Sequence, residues 1–486
     1  MVTPLQSLVP DMTVPDVWVT GLSSDSRKTQ PGDLFLALQG ARYDGQQFIA
    51  DALEAGAAAV LSMSGQAMSD DRAPIIEVPQ LDQKVGIIAD RFYGHPSSNM
   101  TVIAVTGTNG KTSVTYLAAS ALTFLERKVG LIGTLGQGLI GDLKPTDMTT
   151  PDALTLQSSL AEMDKRGADF VLIEASSHGL AQYRLNGTRI QAAVLTNLTR
   201  DHLDYHGDMS QYRSAKAKLF EWPSLSCALL NLDDAWGAEL AERSTSAPAL
   251  TFSVEKEQAA IYARRVIYNE RGLSFELTTP VGSVAVMSAL LGSHNLSNLV
   301  AVGALLFWCG VDLERIGVAL SHCTPPPGRL QGVQVGHRKA LVDFAHTPDA
   351  VAQVLQAVRQ HFKGRIVCVL GCGGDRDPGK RPIMGRVAVT QSDICFFTSD
   401  NPRTEDPAAI IDAMSADLDK SLNEPFKLTD RRQALTAACA LQQADDVLVV
   451  LGKGHESYQE VQGVRLPFDD RKILESLMSR EVPGDD

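Results

Sequence analysis

The stretch Val105–Leu117, VTGTNGKTSVTYL, decides the fold. An apolar run that begins at Thr101 leads into Gly107 and Gly110, which flank Thr108 and Asn109. Lys111, Thr112 and Ser113 follow, and Val114, Leu117, Ala118, Ala121, Leu122 and Leu125 then recur at helical spacing. A strand, a glycine loop and a helix in that order gather backbone N–H groups and the positive end of a helix around one point, which suits phosphate. Lys111 is placed to reach the outer phosphates, and Thr112 to hold magnesium through its hydroxyl. The usual phosphate loop has a glycine five places before its Gly-Lys-Ser/Thr ending, and Val105 stands there instead. A bare pair of glycines would be read as a plain strand-to-helix turn; the full ordered set argues for a shortened phosphate loop.

Outward from this loop the rhythm of strand, loop and helix continues. DFVLIEA (169–175) and AAVLTNL (192–198) are apolar without alternation, as strands of a parallel sheet covered on both faces must be. The expectation is a central doubly wound, mostly parallel sheet over residues 100–327. After the three prolines of CTPPPGRLQG (323–332) the rhythm returns with ALVDFAH, RIVCVLGC, ICFFTSD and DVLVVLG, which predicts a Rossmann-like α/β domain over 328–486. Ahead of the linker-like YGHPSSNM (93–100), the strand-like runs VWVTGL, GDLFLALQG and PIIEV surround one helical stretch, GQQFIADALEAGAAAVL (45–61). A small α/β domain over 1–99 follows.

Composition narrows the classes. A chain of 486 residues, 44% hydrophobic and 21% charged, is too long for one core. A net charge of −13 argues against nucleic acid or an anionic membrane as a partner, since both attract basic surfaces. Seven cysteines without a C-x-x-C pair read as reduced thiols. MVTPLQSLVPDMTVPDVW lacks a basic segment followed by an apolar run, and no apolar stretch approaches membrane-spanning length, so a cytoplasmic location is expected. GCGGDRD lacks the G-x-G-x-x-G spacing of a dinucleotide site, which argues against NAD.

In an open parallel sheet, ligands collect at the carboxyl ends of the strands. There the chain places Glu174, at the end of DFVLIE, and Asn197, Asp201, His202, Asp204 and His206 after AAVLTN. A carboxylate and an imidazole beside a nucleotide loop are candidate metal ligands, although imidazole is softer than magnesium prefers. In QYRSAKAKLFEW, Tyr212, Ala215, Leu219 and Phe220 form an apolar face on which Lys216 falls, while Lys218 points away. A snorkelling stem with its ammonium in water is one reading of Lys216. A buried amine of lowered pKa, open to modification, is the other. Spacing alone leans to the first.

VTGTNGKT, EASSHGL, NLTRDHLDYHG, YRSAKAKLF, LLGSHNLSN, PPPGRLQ, DFAHTPDA, GCGGDRDPGKRP, SDNPRTEDP and LGKGHE stand in order along nearly the whole chain. Together they resemble the Mur ligase family of peptidoglycan precursor synthesis, and the shortened loop is similar to the variant that family carries. The resemblance implies an ATP-dependent ligase that joins meso-diaminopimelate to the D-glutamate γ-carboxylate of UDP-MurNAc-L-Ala-D-Glu, with Mg2+, as a monomer. It implies that Gly107, Thr108, Asn109, Gly110, Lys111, Thr112 and Ser113 hold ATP phosphates, and that Asn295, Arg329, Asp343 and His346 reach the same nucleotide. Thr112, Glu174, His202 and Lys216 would form the metal environment, with Lys216 as the N-carboxylated carbamate; this reverses the preference for snorkelling. Lys111, Lys216, Glu174 and His202 would be the catalytic set.

For the UDP-sugar, the matching positions are Ser24, Ser26, Ala41, Arg42, Tyr43, Thr149, Thr150, Ser176, Gln182 and Arg184. For the amino acid they are Arg376, Asp400, Asn401, Pro402, Arg403, Gly452 and Glu456, and two arginines can grip the extra carboxylate that distinguishes diaminopimelate from lysine. The chain departs from the family pattern at His294, where an aromatic is usual, at Phe344, which replaces a frequent Tyr, and at Met148, where a polar residue can meet substrate. A lysine-adding ligase is the near alternative. A folylpolyglutamate-synthetase-like ligase is opposed by SSDSR and by DNPR. A nucleotide-switch ATPase leaves Lys216 and Arg403 without a role, and a non-catalytic UDP-sugar binder leaves the Lys111–Thr112 pair unused.

Overall fold

The computed structural model describes residues 2–39, 44–63, 70–146, 148–243, 247–419 and 421–480. Two compact units divide the chain: Met1–Tyr262 with Thr279–Val281 and Val300–Ala319, and Ala263–Thr278 with Gly282–Leu299 and Leu320–Asp486.

The first unit opens with a parallel sheet of four strands in chain order: Gly21–Ser23, Asp33–Ala37, Ala59–Ser62 and Ile75–Glu77. Here the structure corrects the helix expected over 45–61. A short turn, Gly45–Phe48, leads into a helix that ends at Glu54, and the remaining AVLS is a fully buried strand. Gly56, at φ +93°, turns the chain, and a run of small and β-branched apolar residues then fills a position covered on both faces. A helix that periodicity left unassigned, Leu81–Phe92, packs Leu81, Val85, Ile88 and Phe92 beneath Leu34, Leu36 and Leu61.

The larger sheet of this unit runs in the order Asp142–Lys144, Gly136–Leu139, Val129–Gly133, Phe170–Glu174, Thr101–Thr106, Ile190–Leu195, Cys227–Asn231 and Ala249–Ser253. Gly136–Leu139 pairs antiparallel with both of its neighbours at one edge, and the other neighbours in the order pair parallel. The apolar runs become strands whose interiors are fully buried, as their lack of alternation requires. Thr101–Thr106 lies between Phe170–Glu174 and Ile190–Leu195, so the loops leaving its two neighbours flank the glycine loop at the carboxyl end, where such sheets bind ligands.

The second unit holds a sheet ordered Gln331–Val335, Arg338–Asp343, Val447–Leu451, Ile366–Cys372, Ile394–Ser399 and Phe426–Lys427, parallel except for the first hairpin. Two apolar cores cover its faces. The register aligns Asp343 with Leu451 and Cys372 with Ser399, so Asp343, Gly452, Gly373 and Asp400 all stand at one edge.

Candidate active site

The glycine loop is tied to the exit of the neighbouring strand. Asn109 N–H donates to Asn197 Oδ1 at 2.9 Å, Thr196 Oγ1 donates to the Asn109 carbonyl at 2.6 Å, and Thr108 Oγ1 accepts from Thr199 N–H at 2.9 Å. Gly107 has φ +147°, and a Cβ there would lie 1.9 Å from Thr196 Oγ1. Gly110, at φ +83°, caps the helix Lys111–Phe124, which leaves that helix's first N–H groups facing the loop. The first glycine lets the backbone approach its neighbour, and the second turns the chain into the helix.

Two lysines meet inside this loop. Lys111 Nζ donates to the carbonyls of Gly107 at 2.9 Å and Thr108 at 2.8 Å. Lys216 Nζ donates to the same Gly107 carbonyl at 2.8 Å and lies 4.8 Å from the Tyr212 ring centroid. Lys216 is 1% exposed, so its stem does not carry the ammonium to water and the snorkelling reading fails. Burial, and then the Lys111 charge, hold its amine well below the ordinary value, so the neutral, nucleophilic form is favoured. Lys218 does not simply face water either, since its ammonium lies 4.4 Å from the Tyr183 ring centroid.

Glu174 ends its strand fully buried. Its Oε2 accepts from Thr112 Oγ1 at 2.8 Å, and its Oε1 accepts from Thr134 N–H at 2.8 Å. Burial pushes this carboxyl up, while the bonds from Thr134 and Thr112 and the Lys111 charge pull it down. A hydroxyl and a carboxylate beside a phosphate loop are hard oxygen donors of the kind magnesium takes, with phosphates supplying the remainder. Among the described residues no group of three or more His, Cys, Asp or Glu side chains is arranged to hold a metal. His202 meets its own neighbours rather than a cluster of metal-ligating side chains. Its ring packs edge-on against His178 at 5.0 Å, and its Nε2 lies 3.4 Å from Asp201 Oδ2.

A cleft of about 280 Å³ is lined by Lys111, Lys216 and His202 together with Thr149, Thr150, Ser176 and Arg184. Hydrogen bonds knit Thr150, Ser176, Gln182 and Arg184 together. Thr150 Oγ1 donates to the Glu174 carbonyl at 2.5 Å and accepts from Ser176 N–H at 3.0 Å; Arg184 Nη1 donates to the Thr150 carbonyl at 2.6 Å, and Arg184 Nη2 to Gln182 Oε1 at 2.6 Å. The Met148 sulfur lies against Arg184 Nη1 at 3.2 Å. Ser24 and Ser26 sit in the loop after Gly21–Ser23, whose turn Asp25 caps, and do not line this cleft. Ala41, Arg42 and Tyr43 lie outside the described residues. Thr134 and His178 also belong here. His178 lies in the quoted EASSHGL but carried no periodicity signal, and Thr134 carried none at all.

The remaining residues form two groups in the second unit. Buried Asp343 accepts from Leu330 N–H and Ala345 N–H, each at 2.7 Å; burial pushes its carboxyl up and Arg329 pulls it down. The Arg329 guanidinium lies 5.7 Å from the Phe344 ring centroid, and the His346 ring meets Phe344 edge-on at 4.8 Å. Asn295 Nδ2 donates to the Leu291 carbonyl at 2.9 Å. At the neighbouring strand ends, Arg403 adopts φ +49° after Pro402, and its Nη1 donates to the Gly374 carbonyl at 2.6 Å. A Cβ on Gly373 would lie 3.1 Å from Arg403 Nη1 and 3.7 Å from Arg376 Cγ, so both arginines converge on that glycine. Asp375 and Thr404 bond across the two loops, as do Glu405 and Arg381. Asn401 Nδ2 donates to Glu456 Oε2 at 2.8 Å, and Gly452, at φ +110°, leaves room for Asp400 Oδ2, 2.3 Å from where its Cβ would stand. Beneath lies a pair that spacing did not reveal: Arg431, fully buried, bonds Asp470 through Nε at 2.9 Å and Nη2 at 2.7 Å.

A parallel α/β sheet with a glycine loop, Lys-Thr and a buried glutamate at its carboxyl edge defines a phosphate-loop nucleotide enzyme. Residues 105–306 match the Mur ligase middle domain, 328–454 the Mur ligase glutamate ligase domain, and 19–93 the Mur ligase family catalytic domain. The chain is 45% identical over 476 residues to the UDP-N-acetylmuramoyl-L-alanyl-D-glutamate–2,6-diaminopimelate ligase of Ectopseudomonas mendocina, covering 97% of each. It is also 45% identical to the protein of that name from Pseudomonas aeruginosa, over 96% of this chain and 97% of that one. A solved structure of a UDP-N-acetylmuramoyl-L-alanyl-D-glutamate–2,6-diaminopimelate ligase matches with a TM-score of 0.79 at 37% identity, over 99% of both chains. The chain belongs to the Mur ligase family, and it is an ATP-dependent, ADP-forming ligase. No helix among the described residues is long and apolar enough to cross a membrane.

Proposed function

We propose that this ligase joins meso-diaminopimelate to the D-glutamate γ-carboxylate of UDP-MurNAc-L-Ala-D-Glu in peptidoglycan precursor synthesis. The observation that carries the proposal is the cleft in which Lys111, Lys216 and His202 line the same space as Thr149, Thr150, Ser176 and Arg184. A nucleotide-activating group and a binding surface for an acidic substrate thus share one pocket. The names of the relatives at 45% identity support the choice of substrates.

The γ-carboxylate attacks the ATP γ-phosphorus in line, ADP leaves, and an acyl phosphate results. Lys111 leaves the Gly107 and Thr108 carbonyls for the phosphate oxygens and offsets their developing charge. The diaminopimelate amine then attacks the acyl carbon, and the tetrahedral intermediate expels phosphate. Thr112 and Glu174 hold Mg2+, which when bound supplies charge neutralisation at the phosphates. The neutral Lys216 amine adds to CO2 and loses a proton to solvent, giving a carbamate whose negative charge orients this assembly. His202 lines the cleft as a further donor, and Asn295, Arg329, Asp343 and His346 receive the rest of the nucleotide.

Ser24, Ser26 and the Ala41–Tyr43 segment take the uridine end, and Gln182 holds Arg184 in place against the sugar side. Arg376 and Arg403 grip the distal carboxylate of diaminopimelate, with Asp400, Asn401, Pro402, Gly452 and Glu456 around it. On this reading the chain works as three domains, 1–99, 100–327 and 328–486, as a monomer in the cytoplasm. The test is phosphate release and product mass with Mg-ATP and UDP-MurNAc-L-Ala-D-Glu, comparing meso-diaminopimelate with L-lysine. Turnover confined to diaminopimelate supports the proposal. Equal turnover with lysine removes the specificity, and no amide product with either removes the ligation itself.

A further inference from the structure

Lys453 stands in LGKGHE between Gly452 and Gly454, both at positive φ, and its side chain is wholly buried. A lysine taken fully out of water is costly unless its charge is paired and its N–H groups are used. Here both conditions hold within one small network. Lys453 Nζ donates to Asn401 Oδ1 at 3.1 Å and to Glu456 Oε2 at 3.0 Å, and it lies 5.6 Å from the Tyr458 ring centroid. Asn401 Nδ2 donates to the same Glu456 Oε2 at 2.8 Å, and Glu460 N–H donates to Asn401 Oδ1 at 2.9 Å.

Two donors converge on Asn401 Oδ1, which settles the orientation of its amide, because a flipped amide would face both donors with N–H groups. Glu456 takes an N–H from each of the other two side chains on a single oxygen. Neither Asn401 nor Glu456 can swing away without leaving a buried ammonium short of a partner, so the three side chains move as one. The positive φ at both flanking glycines lets the backbone bend sharply enough to aim Lys453 inward rather than at solvent.

We propose that Lys453 is a positioning residue for the amino-acid substrate: it fixes the Asn401 amide and the Glu456 carboxylate in a single orientation before the amino acid arrives. The inference rests on the proposed amino-acid subsite and adds a residue whose part is to prepare that subsite rather than to touch the reacting atoms. A site ordered in advance saves the ordering cost at binding. Losing Lys453 therefore weakens capture of the amino acid and leaves capture of ATP and the UDP-linked acceptor as it was.

The experiment measures KM for meso-diaminopimelate, ATP and UDP-MurNAc-L-Ala-D-Glu, with kcat and thermal midpoint, in the full-length wild type, Lys453→Met and Lys453→Gln. Lys453→Met is expected to raise the diaminopimelate KM by about tenfold or more, as loss of hydrogen bonds to a charged group does. The other two KM values should stay within about twofold, an effect too small to count as lost binding. Lys453→Gln, which keeps N–H donors at shorter reach, should recover part of the loss. Where Lys453→Met is too unstable to assay, Glu456→Gln removes the stranded carboxylate, and Lys453→Met/Glu456→Gln is compared with Glu456→Gln and wild type. The double variant should then show less than the sum of the single effects, estimated with Lys453→Gln as the second single variant.

An unchanged diaminopimelate KM in Lys453→Met, a parallel rise in all three KM values, or fully additive effects would overturn the inference. A wild type that accepts lysine instead overturns the substrate assignment but not the role of Lys453, which is then read on the lysine KM. No ligation with either amino acid overturns both.

Discussion

Lys111 and Lys216 donate to one and the same carbonyl oxygen, that of Gly107, at 2.9 and 2.8 Å. Were both protonated, two ammonium groups on a single acceptor, one of them fully buried, would oppose each other, which favours the neutral amine at Lys216. Burial first, and the Lys111 charge second, lower the Lys216 pKa well below 10.5. Between that lowered value and 10.5 the unfolded chain binds more protons than the native one, so stability rises with pH across the window and is lost as pH falls through it. Replacing Lys216 by Met should therefore raise the thermal midpoint at pH 7 by about 2 °C or more. The gain should shrink as pH approaches 10, while ligation falls by roughly a hundredfold or more. Scanning fluorimetry at pH 7 and 9.5, alongside product formation, checks both parts; a gain that grows with pH would be the wrong sign.

Gly107 and Gly94 both adopt positive φ, but their surroundings differ. A Cβ on Gly107 meets Thr196 Oγ1 at 1.9 Å and the Asn197 carbonyl at 3.0 Å, whereas nothing lies within 4 Å of a Cβ on Gly94. Gly94→Ala should cost only the backbone term, about 1 kcal/mol. Gly107→Ala adds the displacement of Thr196 and should cost roughly 2–4 kcal/mol. It should also raise the ATP KM, since the loop must open to relieve the clash. Urea unfolding of the two variants gives the comparison.

Thr112 Oγ1 and Glu174 Oε2, 2.8 Å apart, are the hard donors that the proposed mechanism assigns to magnesium. Glu174→Gln keeps the shape and, through its amide oxygen, the bond from Thr134 N–H, but removes the charge and the oxygen to which Thr112 Oγ1 and Thr134 Oγ1 donate. The Mg2+ concentration for half-maximal rate should rise by about tenfold or more, with the thermal midpoint unchanged or higher because a buried carboxylate is gone. A magnesium titration of the rate distinguishes this from a loss of fold.

Arg431 and Asp470 form a fully buried, two-pronged pair, and Arg431 also bonds the strand-end carbonyls of Ser399 at 3.3 Å and Leu451 at 3.1 Å. Removing one partner strands the other. Arg431→Leu alone should cost about 3–5 kcal/mol, and Arg431→Leu/Asp470→Leu should regain much of it. Denaturant midpoints of the two singles and the double close the cycle.

Arg403 already spends Nη1 on the Gly374 carbonyl at 2.6 Å, and its Nε lies 3.9 Å from Glu460 Oε2, which leaves Nη2 as the arm that faces a ligand. Lysine at this position offers a point charge without the guanidinium fork. Arg403→Lys should raise the diaminopimelate KM about tenfold and reduce the preference over L-lysine. Competition assays with both amino acids read the preference directly.

Much of this was legible along the chain. The phosphate loop, the buried strands 170–174 and 190–195, and the four central strands of the second unit's sheet follow from apolar runs and glycine placement, because a parallel sheet covered on both faces leaves little choice of residue; its edge strands Gln331–Val335 and Phe426–Lys427 did not. The error over 45–61 arose where small apolar residues fit a helix and a buried strand equally well. Lys216 shows the limit more sharply: helical spacing placed it on the apolar face one turn after Tyr212, but only the fold brings the Gly107 carbonyl to its amine.

What the sequence by itself determined was the run of central buried strands and which polar residues stand at their ends, since glycines, apolar periodicity and charged residues act over a few positions. Only the tertiary structure decided which of those groups meet. Lys453, Asn401 and Glu456 are joined by three bonds although Asn401 lies 52 residues before Lys453, and Arg431 reaches Asp470 across 39 residues. Such pairings depend on strand register and on the cost of burying an unpaired charge, which a one-dimensional spacing does not express.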